Sequence, residues 1–330
     1  MRKKTIMAII IILISFVAIL YLIDFSPKQT FWGVTFSEQY AKDELGLDWK
    51  AAYLAILDDL KVSHLRLSAY WNQNEPDQNK YRFGDLDWQI AEASKREVKI
   101  ILAVGRKLPR WPECHDPGWT KSLTTNEVQK SQLDFIQATV NRYKDNPNLI
   151  AWQVENEPFL QLFGECPPLD KNFFEKEIEL VRNLSDKPVM ITDSGELNWW
   201  VNAAKMKPDI IGTTLYRVVY NPTIGYLRWP LPSSFYYLKS LTVRSLFGIK
   251  RVIVAELQAE AWHKAGTDLS KMTIDEQFES FDLKQFNKNI EFTKKAGFDE
   301  AYLWGAEWWY FLKEKKSYPA IWEEAKKLWQ

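Results

Sequence analysis

Two short segments place carboxylates where they could perform acid–base chemistry on a substrate. The apolar run 149–154 is soon followed by Glu157, and the apolar run 251–255 is followed directly by Glu256. A charged group at the end of a buried strand costs free energy unless it is paired or functional. Cleavage of a glycosidic bond needs two such groups: one protonates the leaving oxygen, and the other attacks the anomeric carbon or activates water. Glycoside hydrolysis is therefore the first hypothesis.

Two nearby glutamates compete for these roles. Glu155 precedes Glu157 by two residues, so the alternation of a strand could put both on one face. Glu260 follows Glu256 but lies past the end of the predicted strand. We expect Glu157 and Glu256 to be the reactive pair. The alternative for both is a structural salt bridge with Arg66 or Arg106.

Eight apolar runs, each followed by a loop or an amphipathic stretch, must position these glutamates. The runs lie at 31–36, 64–69, 98–104, 149–154, 188–192, 209–215, 251–255 and 301–304. Eight such units in about 300 residues predict an α/β fold, a (β/α)₈ barrel over 31–330. The alternative is an open doubly wound sheet, but Gly33 stands alone where that fold usually has a glycine-rich turn. In a barrel the strand ends that carry both glutamates share one face.

The composition limits the classes of ligand. Lys plus Arg and Asp plus Glu each number 43, so no basic excess favours nucleic acid. Two cysteines and three scattered histidines do not suggest a metal centre, and we expect neither metal nor cofactor. The chain contains 16 Trp, 14 Tyr and 18 Phe. Flat apolar rings with a polar edge suit sugar binding, so we expect a carbohydrate substrate.

The N-terminal segment is typical of a targeting or anchoring sequence. Residues 1–5 are basic, residues 6–23 are uncharged and mostly aliphatic, and residues 24–30 form a linker. Eighteen apolar residues are just long enough to cross a bilayer, and the preceding positive charge keeps that end in the cytoplasm. We expect an uncleaved membrane anchor with the following domain outside the cytoplasm; the alternative is a cleaved signal peptide and secretion.

An exported domain permits a disulfide bond between the two cysteines. Cys114 follows the third predicted strand, and Cys166 follows the fourth. Neighbouring strands put these two loops side by side, and an oxidising compartment allows the thiols to pair. We therefore expect a Cys114–Cys166 disulfide.

The motifs at the strand ends resemble clan A of the glycoside hydrolases. Asn156-Glu157-Pro158 after the fourth strand, together with Glu256 after the seventh, is similar to the catalytic pattern of these retaining (β/α)₈ enzymes. Residues 153–157 and 256–258 are also similar to the β-galactosidase families of the clan, whereas Pro158 is more like its cellulase and mannanase families. The resemblance implies that Glu157 is the acid/base and Glu256 the nucleophile.

The same resemblance implies roles for further residues that contact the substrate or the nucleophile. Asn156 matches the position that binds the sugar 2-hydroxyl, and Arg66 matches a buried arginine that helps keep the nucleophile ionised. Tyr216 matches a tyrosine that hydrogen-bonds the nucleophile, and Trp304 matches a tryptophan that forms the floor of the subsite for the cleaved sugar.

Other tryptophans follow predicted strand ends and could stack on sugar rings. We expect about half of them to face the cleft, and Trp71 and Trp262 are the two that we assign to substrate binding. The full set is Trp71, Trp111, Trp199, Trp200, Trp229, Trp262 and Trp308.

The sequence as a whole predicts a monomeric, membrane-anchored, extracytoplasmic retaining β-glycoside hydrolase. It would cleave β-linked oligo- or polysaccharides by double displacement. Two alternatives remain: a transglycosylase that uses the same site, and a non-catalytic glycan-binding barrel. The presence of both glutamates argues against the second.

Overall fold

A computed structural model describes Met7, residues 19–264 and residues 267–330. Most of the predicted anchor, 6–23, lies outside these residues; its last part, 19–22, is helical. In the part of the chain that the structure describes, no helix is both long enough and apolar enough to cross a membrane. Anchoring through 6–23 therefore stays a prediction.

Eight parallel strands close into a barrel, which confirms the predicted (β/α)₈ architecture. Their order around the barrel is β1-β10-β9-β6-β5-β4-β3-β2, and the remaining two strands, β7 and β8, form an antiparallel hairpin beside it. The strands are β1 (Phe31–Thr35), β2 (His64–Ser68), β3 (Lys99–Val104), β4 (Leu149–Val154), β5 (Val189–Asp193), β6 (Ile210–Leu215), β7 (Val218–Asn221), β8 (Gly225–Arg228), β9 (Arg251–Gln258) and β10 (Glu300–Trp304).

Helices connect the strands, and most of them lie where the amphipathic stretches predict. They are α1 (Trp49–Ala55), α2 (Trp71–Asn74), α3 (Gly84–Lys95), α4 (Thr125–Tyr143), α5 (Lys171–Leu184), α6 (Val201–Lys205), α7 (Ser233–Phe247), α8 (Ile274–Phe278), α9 (Leu283–Lys295), α10 (Ala306–Lys316) and α11 (Ala320–Lys326). Side chains cap the starts of several helices. For example, Thr124 and Glu127 form a reciprocal capping box at α4, and Asp170 caps α5.

Side chains fill the barrel interior, so only the ends of the barrel leave room for chemistry. Ile101, Met190, Ile253 and Tyr302, from four different strands, belong to one buried cluster. Gly212 is required there because a Cβ atom would lie 2.8 Å from the Cβ of Ala255. A filled interior of this kind is normal for the fold, whose functional groups lie at the C-terminal strand ends.

Between β6 and β9 the chain forms two elements outside the barrel wall. They are the β7–β8 hairpin and then α7. The helix begins directly after Pro232 and ends at Gly248, which adopts φ 70° as a C-terminal cap. These two residues are the local signals that mark α7.

The segment before β1 packs against α7. The Phe25 ring stacks on Tyr237 with centroids 3.7 Å apart, and the Phe25 N–H donates to the carbonyl of Lys295 at 3.1 Å. The Ser234 hydroxyl donates to the carbonyl of Leu20 at 2.6 Å. The predicted linker 24–30 is thus in contact with the barrel's outer helices at its start.

Candidate active site

The chain turns sharply where β4 ends, and this turn separates the two competing glutamates. Glu155 has φ 57° and Glu157 has φ 42°, values that are uncommon for residues other than glycine. The Glu157 N–H donates to the Thr192 hydroxyl at 2.8 Å, and the Asn156 N–H donates to the Lys107 carbonyl at 2.6 Å. Non-glycine residues in this conformation are concentrated at functional sites.

Glu155 binds the loop that follows β3 through hydrogen bonds. Its carboxylate accepts hydrogen bonds from the Arg106 N–H at 2.7 Å, the Lys107 N–H at 2.6 Å and the Gln132 side chain at 3.0 Å. Gly105 lies so close that a Cβ atom would be 2.3 Å from Glu155 Oε1. Glu155 is therefore a buried hydrogen-bond acceptor for this loop, and the choice of Glu157 as the reactive group stays a prediction.

Glu256 is held through both of its carboxylate oxygens. Arg66 Nη1 donates to Oε1 at 3.0 Å, and the Tyr216 hydroxyl donates to Oε2 at 3.0 Å. Burial raises the pKa of Tyr216 well above its usual value, so this hydroxyl remains a donor. The two contacts fix the orientation of the Glu256 carboxylate and offset the cost of burying its charge.

Arg66 acts on the site through its neighbours, because it is fully buried. Besides Glu256, it donates to Gln153 Oε1 at 2.7 Å and to Asn156 Oδ1 at 2.8 Å. Asn156 is thereby oriented, and its Nδ2 is buried without a hydrogen-bond partner among the described residues. An orphaned buried donor at a site of this kind fits a hydroxyl group supplied by a ligand.

Glu157 lies in an environment that favours a neutral carboxylic acid. Burial, and then the charges of Glu256 and Glu113, raise its pKa well above the usual value. Thr214 is the side chain that contacts it, with the hydroxyl 3.4 Å from Oε1. The two glutamates thus lie in different environments: Glu256 is paired with Arg66, whereas Glu157 is buried near other acidic groups.

A third carboxyl group, Glu113, belongs to this site and was missed by the sequence analysis. Lys107 Nζ lies 3.2 Å from Glu113 Oε2 and also donates to the carbonyls of Glu157 at 3.0 Å and Leu160 at 2.9 Å. Burial raises the pKa of Glu113 to about 8. Its position next to Cys114 was the one sequence feature that placed it near the site.

Two of the expected tryptophans lie at the mouth. Trp304 is 8% exposed, its indole N–H donates to Glu260 Oε1 at 2.8 Å, and the Arg110 guanidinium lies 4.1 Å from the centre of its ring. The Trp262 ring is half-buried and perpendicular to the Tyr216 ring, with centroids 5.3 Å apart. Both rings are therefore close to groups that contact or flank Glu256.

Trp71 does not lie in the cleft, and its assignment to substrate binding is corrected here. Its side chain is fully buried, and its indole N–H donates to Glu75 Oε2 at 2.7 Å. Trp119 packs against it edge-on with centroids 5.7 Å apart, and Phe135 stacks on it. Because α2 starts at Trp71, directly after the strand end, the ring turns into the core.

The remaining tryptophans divide between core and surface. Trp200 and Trp308 are buried, whereas Trp111 and Trp199 are the most exposed of the set, and Trp229 is half-buried. Exposure alone does not show that a ring binds sugar. Trp111 is in contact with the ring of Phe163, which in turn lies beside Trp262.

The Cys114–Cys166 disulfide is confirmed. The sulfur atoms are 2.11 Å apart, and the Cα atoms are 5.3 Å apart. The bond joins the loop after β3 to the loop after β4. It thereby ties the segment that carries Glu113 to the segment that follows Glu157. Among the described residues, no group of three or more His, Cys, Asp or Glu side chains is arranged to hold a metal ion.

The chain is similar in sequence to characterised glycosidases over part of its length. It is 23% identical over 113 residues to mannan endo-1,4-beta-mannosidase F of Aspergillus fumigatus, which is 32% of this chain and 25% of the relative. It is 21% identical over 165 residues to beta-galactosidase BgaA of Clostridium cellulovorans, or 44% of this chain and 25% of the relative. The matches thus span about a quarter of each relative. No family model matches the chain.

The fold extends this similarity to nearly the whole chain. The endo-beta-1,4-xylanase of Gloeophyllum trabeum, a family 10 glycoside hydrolase, superposes with a TM-score of 0.57 at 14% identity, covering 92% of this chain and 97% of the xylanase. At that identity the likeness concerns the fold. Together with the sequence matches, it confirms that the chain resembles the clan A glycoside hydrolases.

Proposed function

We propose that this protein is a retaining β-glycoside hydrolase whose acid/base is Glu157 and whose nucleophile is Glu256. The proposal rests on one observation: two buried carboxyl groups, at the ends of β4 and β9, have contrasting surroundings. Glu256 is paired with Arg66 and Tyr216, whereas the pKa of Glu157 is raised by burial and by neighbouring acids. Such a pair offers an oriented oxygen nucleophile and a carboxyl group that keeps its proton for donation.

In the first step Glu256 bonds to the anomeric carbon while the glycosidic bond breaks. The Glu157 proton passes to the leaving oxygen, so the departing sugar leaves as an alcohol and Glu157 becomes a carboxylate. The Arg66 and Tyr216 contacts orient the Glu256 oxygens for attack. The orphaned Asn156 Nδ2 is well placed to donate to a hydroxyl of the bound sugar.

In the second step Glu157 acts as the base. It takes a proton from water, the water oxygen bonds to the anomeric carbon, and the bond to Glu256 breaks. The sugar is released with its original configuration, and both glutamates return to their starting protonation states. This route requires the two carboxyl groups to lie about 5–5.5 Å apart. That separation is a prediction for this chain.

The substrate class proposed is a β-linked oligo- or polysaccharide. Support comes from the mannan endo-1,4-beta-mannosidase and beta-galactosidase relatives and from the aromatic rings beside Glu256. We also propose that the barrel works outside the cytoplasm, because a disulfide persists in oxidising compartments. Anchoring through 6–23 and the monomeric state remain predictions.

The full-length chain, purified in detergent, tests the assignment after a screen on β-linked aryl glycosides and polysaccharides. Glu157→Ala and Glu256→Ala should each lower kcat on a natural substrate by about 10²–10⁴-fold. A dinitrophenyl glycoside needs no protonation, so Glu157→Ala should still form the covalent intermediate and then stall. Azide should restore its turnover with a product of retained configuration.

Glu256→Ala should behave differently in the same assay. It cannot form the intermediate, so azide can occupy only the vacated place and should give a product of inverted configuration. Glu155→Gln is the matched control, because it alters the neighbouring anchor without touching the proposed chemistry, and azide should not change its product. The reverse pattern would exchange the two roles. Binding of glycans without turnover by the unchanged chain would favour the non-catalytic barrel, and sugar transfer to an added acceptor would favour the transglycosylase.

A further inference from the structure

The loop that follows β3 extends along the mouth of the barrel as far as the loop after the opposite strand. In the strand order β1-β10-β9-β6-β5-β4-β3-β2, β3 and β9 are four places apart in both directions, so they lie opposite each other. Residues 105–114, which we call the strap, leave β3, and Arg110 in this segment forms an ion pair with Glu260 just beyond the end of β9. The strap therefore reaches from the end of β3 to the loop after the opposite strand, past residues that follow β2 and β1 and past the end of β10.

Residues from three further elements surround Arg110. Its guanidinium lies 3.6 Å from the centre of the Tyr40 ring, which follows β1, and 4.1 Å from the centre of the Trp304 ring at the end of β10. Its Nη2 lies 3.4 Å from Glu307 Oε2 at the start of α10. These cation–π and ionic contacts, in a residue that is 8% exposed, hold the tip of the strap firmly.

The strap is also fixed along its length. The Tyr70 hydroxyl donates to the Pro109 carbonyl at 3.0 Å, Lys107 Nζ holds the Leu160 carbonyl, and Cys114 is bonded to Cys166. A second contact joins two other loops nearby. Phe163, in the loop after β4, lies 6.3 Å from Trp262 in the loop after β9, centre to centre. The strap is therefore held at several points along its length and forms one wall of the site.

The position of this wall relative to the glutamates determines which part of the substrate it limits. Trp304 is the register partner of Gln258, two residues after Glu256, so the enclosed cluster stands beside the nucleophile. In the proposed function the sugar that bonds to Glu256 is the one on the non-reducing side of the cleaved bond. A chain continuing from that sugar past Trp304 would need the space where Arg110 packs between Trp304 and Tyr40.

We infer that the strap leaves room for a single sugar on the nucleophile side, so that this protein removes single sugar units from the non-reducing ends of β-linked chains. The inference rests on the proposed function and specifies its mode of action. Arg110 Nε is buried without a hydrogen-bond partner in the part of the chain that the structure describes. Its N–H supplies a donor for a hydroxyl of that terminal sugar, which an internal sugar would carry as a glycosidic link.

Product analysis with the unchanged full-length chain provides the first test. Oligosaccharides of four to six sugars, reduced at one end, and the matching polysaccharide are taken from the linkage that the activity screen identifies. The expected first product is the monosaccharide, with the labelled remainder shortened by one unit and little early loss of polysaccharide viscosity. A disaccharide or a mixture of internal fragments as first products, or a fast fall in viscosity, would overturn the inference while leaving the hydrolase intact.

A variant that opens the mouth provides the second test. Arg110→Ala/Glu260→Ala removes both partners of the closest ion pair, and Glu307, the other carboxyl group beside Arg110, keeps its hydrogen bond from the Ser37 N–H. We expect the ratio of internal to terminal cleavage to rise at least tenfold. Arg142→Ala, which removes an arginine from an ion pair with Asp87 on the outer surface, is the matched control and should keep the parent ratio.

An unchanged ratio in a folded double variant would show that the strap does not limit the substrate. If the double variant does not fold, the product profile of the unchanged chain still decides. Inactivity of the unchanged chain on every β-linked substrate would instead remove the proposed function, and this inference with it.

Discussion

Arg66 and Glu256 form an ion pair of 3.0 Å in which the arginine side chain is 0% and the glutamate side chain 4% exposed. Attraction in a buried pair is offset by the cost of removing two charges from water, so such a pair is weak evidence for stability. Its other contacts indicate a functional use. The same guanidinium orients Asn156, so one side chain couples the proposed nucleophile to a proposed sugar-binding amide.

Arg66→Lys should preserve the charge and lose the fork that makes these contacts. Lysine has one compact ammonium group, and it cannot hold Gln153, Glu256 and Asn156 at once. A hydrogen bond to a charged group contributes about 1.5–3 kcal/mol, which corresponds to a loss in kcat/KM of roughly 10- to 150-fold. Steady-state kinetics on the best aryl glycoside measures it.

The matched control is Arg142→Lys, whose ion pair with Asp87 lies on the outer surface, and it should keep parent kinetics. Circular dichroism checks that both variants are folded. If folded Arg66→Lys turned over substrate at the parent rate, the guanidinium fork would not be needed to position Glu256.

Glu113 should set the alkaline limit of activity through its effect on Glu157. The acid must be protonated, so kcat/KM falls as pH rises through the pKa of Glu157. A charged Glu113 raises that pKa, and Glu113 itself becomes charged as the pH approaches its own pKa of about 8. Glu113→Gln removes this charge, so the pKa of Glu157 should fall. The alkaline limb of the kcat/KM profile should then move to lower pH, by up to about one unit.

The control for this shift is Glu75→Gln. Glu75 is another buried acid near the mouth, but it bonds to Trp71 and Asn79. Its profile should match that of the parent. A limb at the parent position in Glu113→Gln, or one displaced to higher pH, would contradict the proposed coupling between Glu113 and Glu157.

The parts of this protein that the sequence predicts are those set by local patterns. The eight barrel strands are short apolar runs, and Glu157 and Glu256 are found because they lie within three residues of the end of such a run. Arg110 and Glu113 could not be found in this way. Arg110 pairs with Glu260, 150 residues later in the chain, and only barrel closure brings the loops of opposite strands together.

Trp71 shows the opposite limit of sequence reasoning. It follows a strand end, as a sugar-binding ring would, and its residue type suits that role. The direction of the side chain depends on α2, a helix of four residues that has no clear periodic signal. The orientation of a ring after a strand end is therefore decided by the loop's packing, which residue type and spacing do not specify.

Glu177→Gln should stabilise the protein above about pH 5. Burial, followed by the charge of Glu155, raises the pKa of Glu177 well above its usual value, so the folded protein retains a proton that the unfolded chain releases. The free energy of unfolding then falls as pH rises above the unfolded pKa, by up to about 1.4 kcal/mol per pH unit for one proton. Glutamine keeps the polar contacts with Gln132 and Glu155 and has no proton to lose.

Urea unfolding at pH 4, 6 and 8 measures this effect. The variant and the parent should have similar midpoints at pH 4, and the midpoint of the variant should be higher at pH 8. Glu179→Gln, an exposed glutamate on the same helix, is the control and should follow the parent. If the advantage of Glu177→Gln were as large at pH 4 as at pH 8, the proton would not be its source.

The Cys114–Cys166 bond should contribute both to global stability and to the fit of the substrate. It links residues 52 positions apart, and a closed loop of this size stabilises a folded chain by about 2–4 kcal/mol. Cys114→Ala/Cys166→Ala should lower the urea midpoint accordingly, and the slope should increase because the unfolded chain without the bond is more expanded. Because the bond also tethers the strap, KM should rise severalfold, whereas kcat should change little. Lys107 and Arg66 hold Glu157 and Glu256 without help from the bond.

Dithiothreitol should reproduce both effects in the parent and have none on the double variant, so a parent that keeps its midpoint and KM after full reduction would refute both roles.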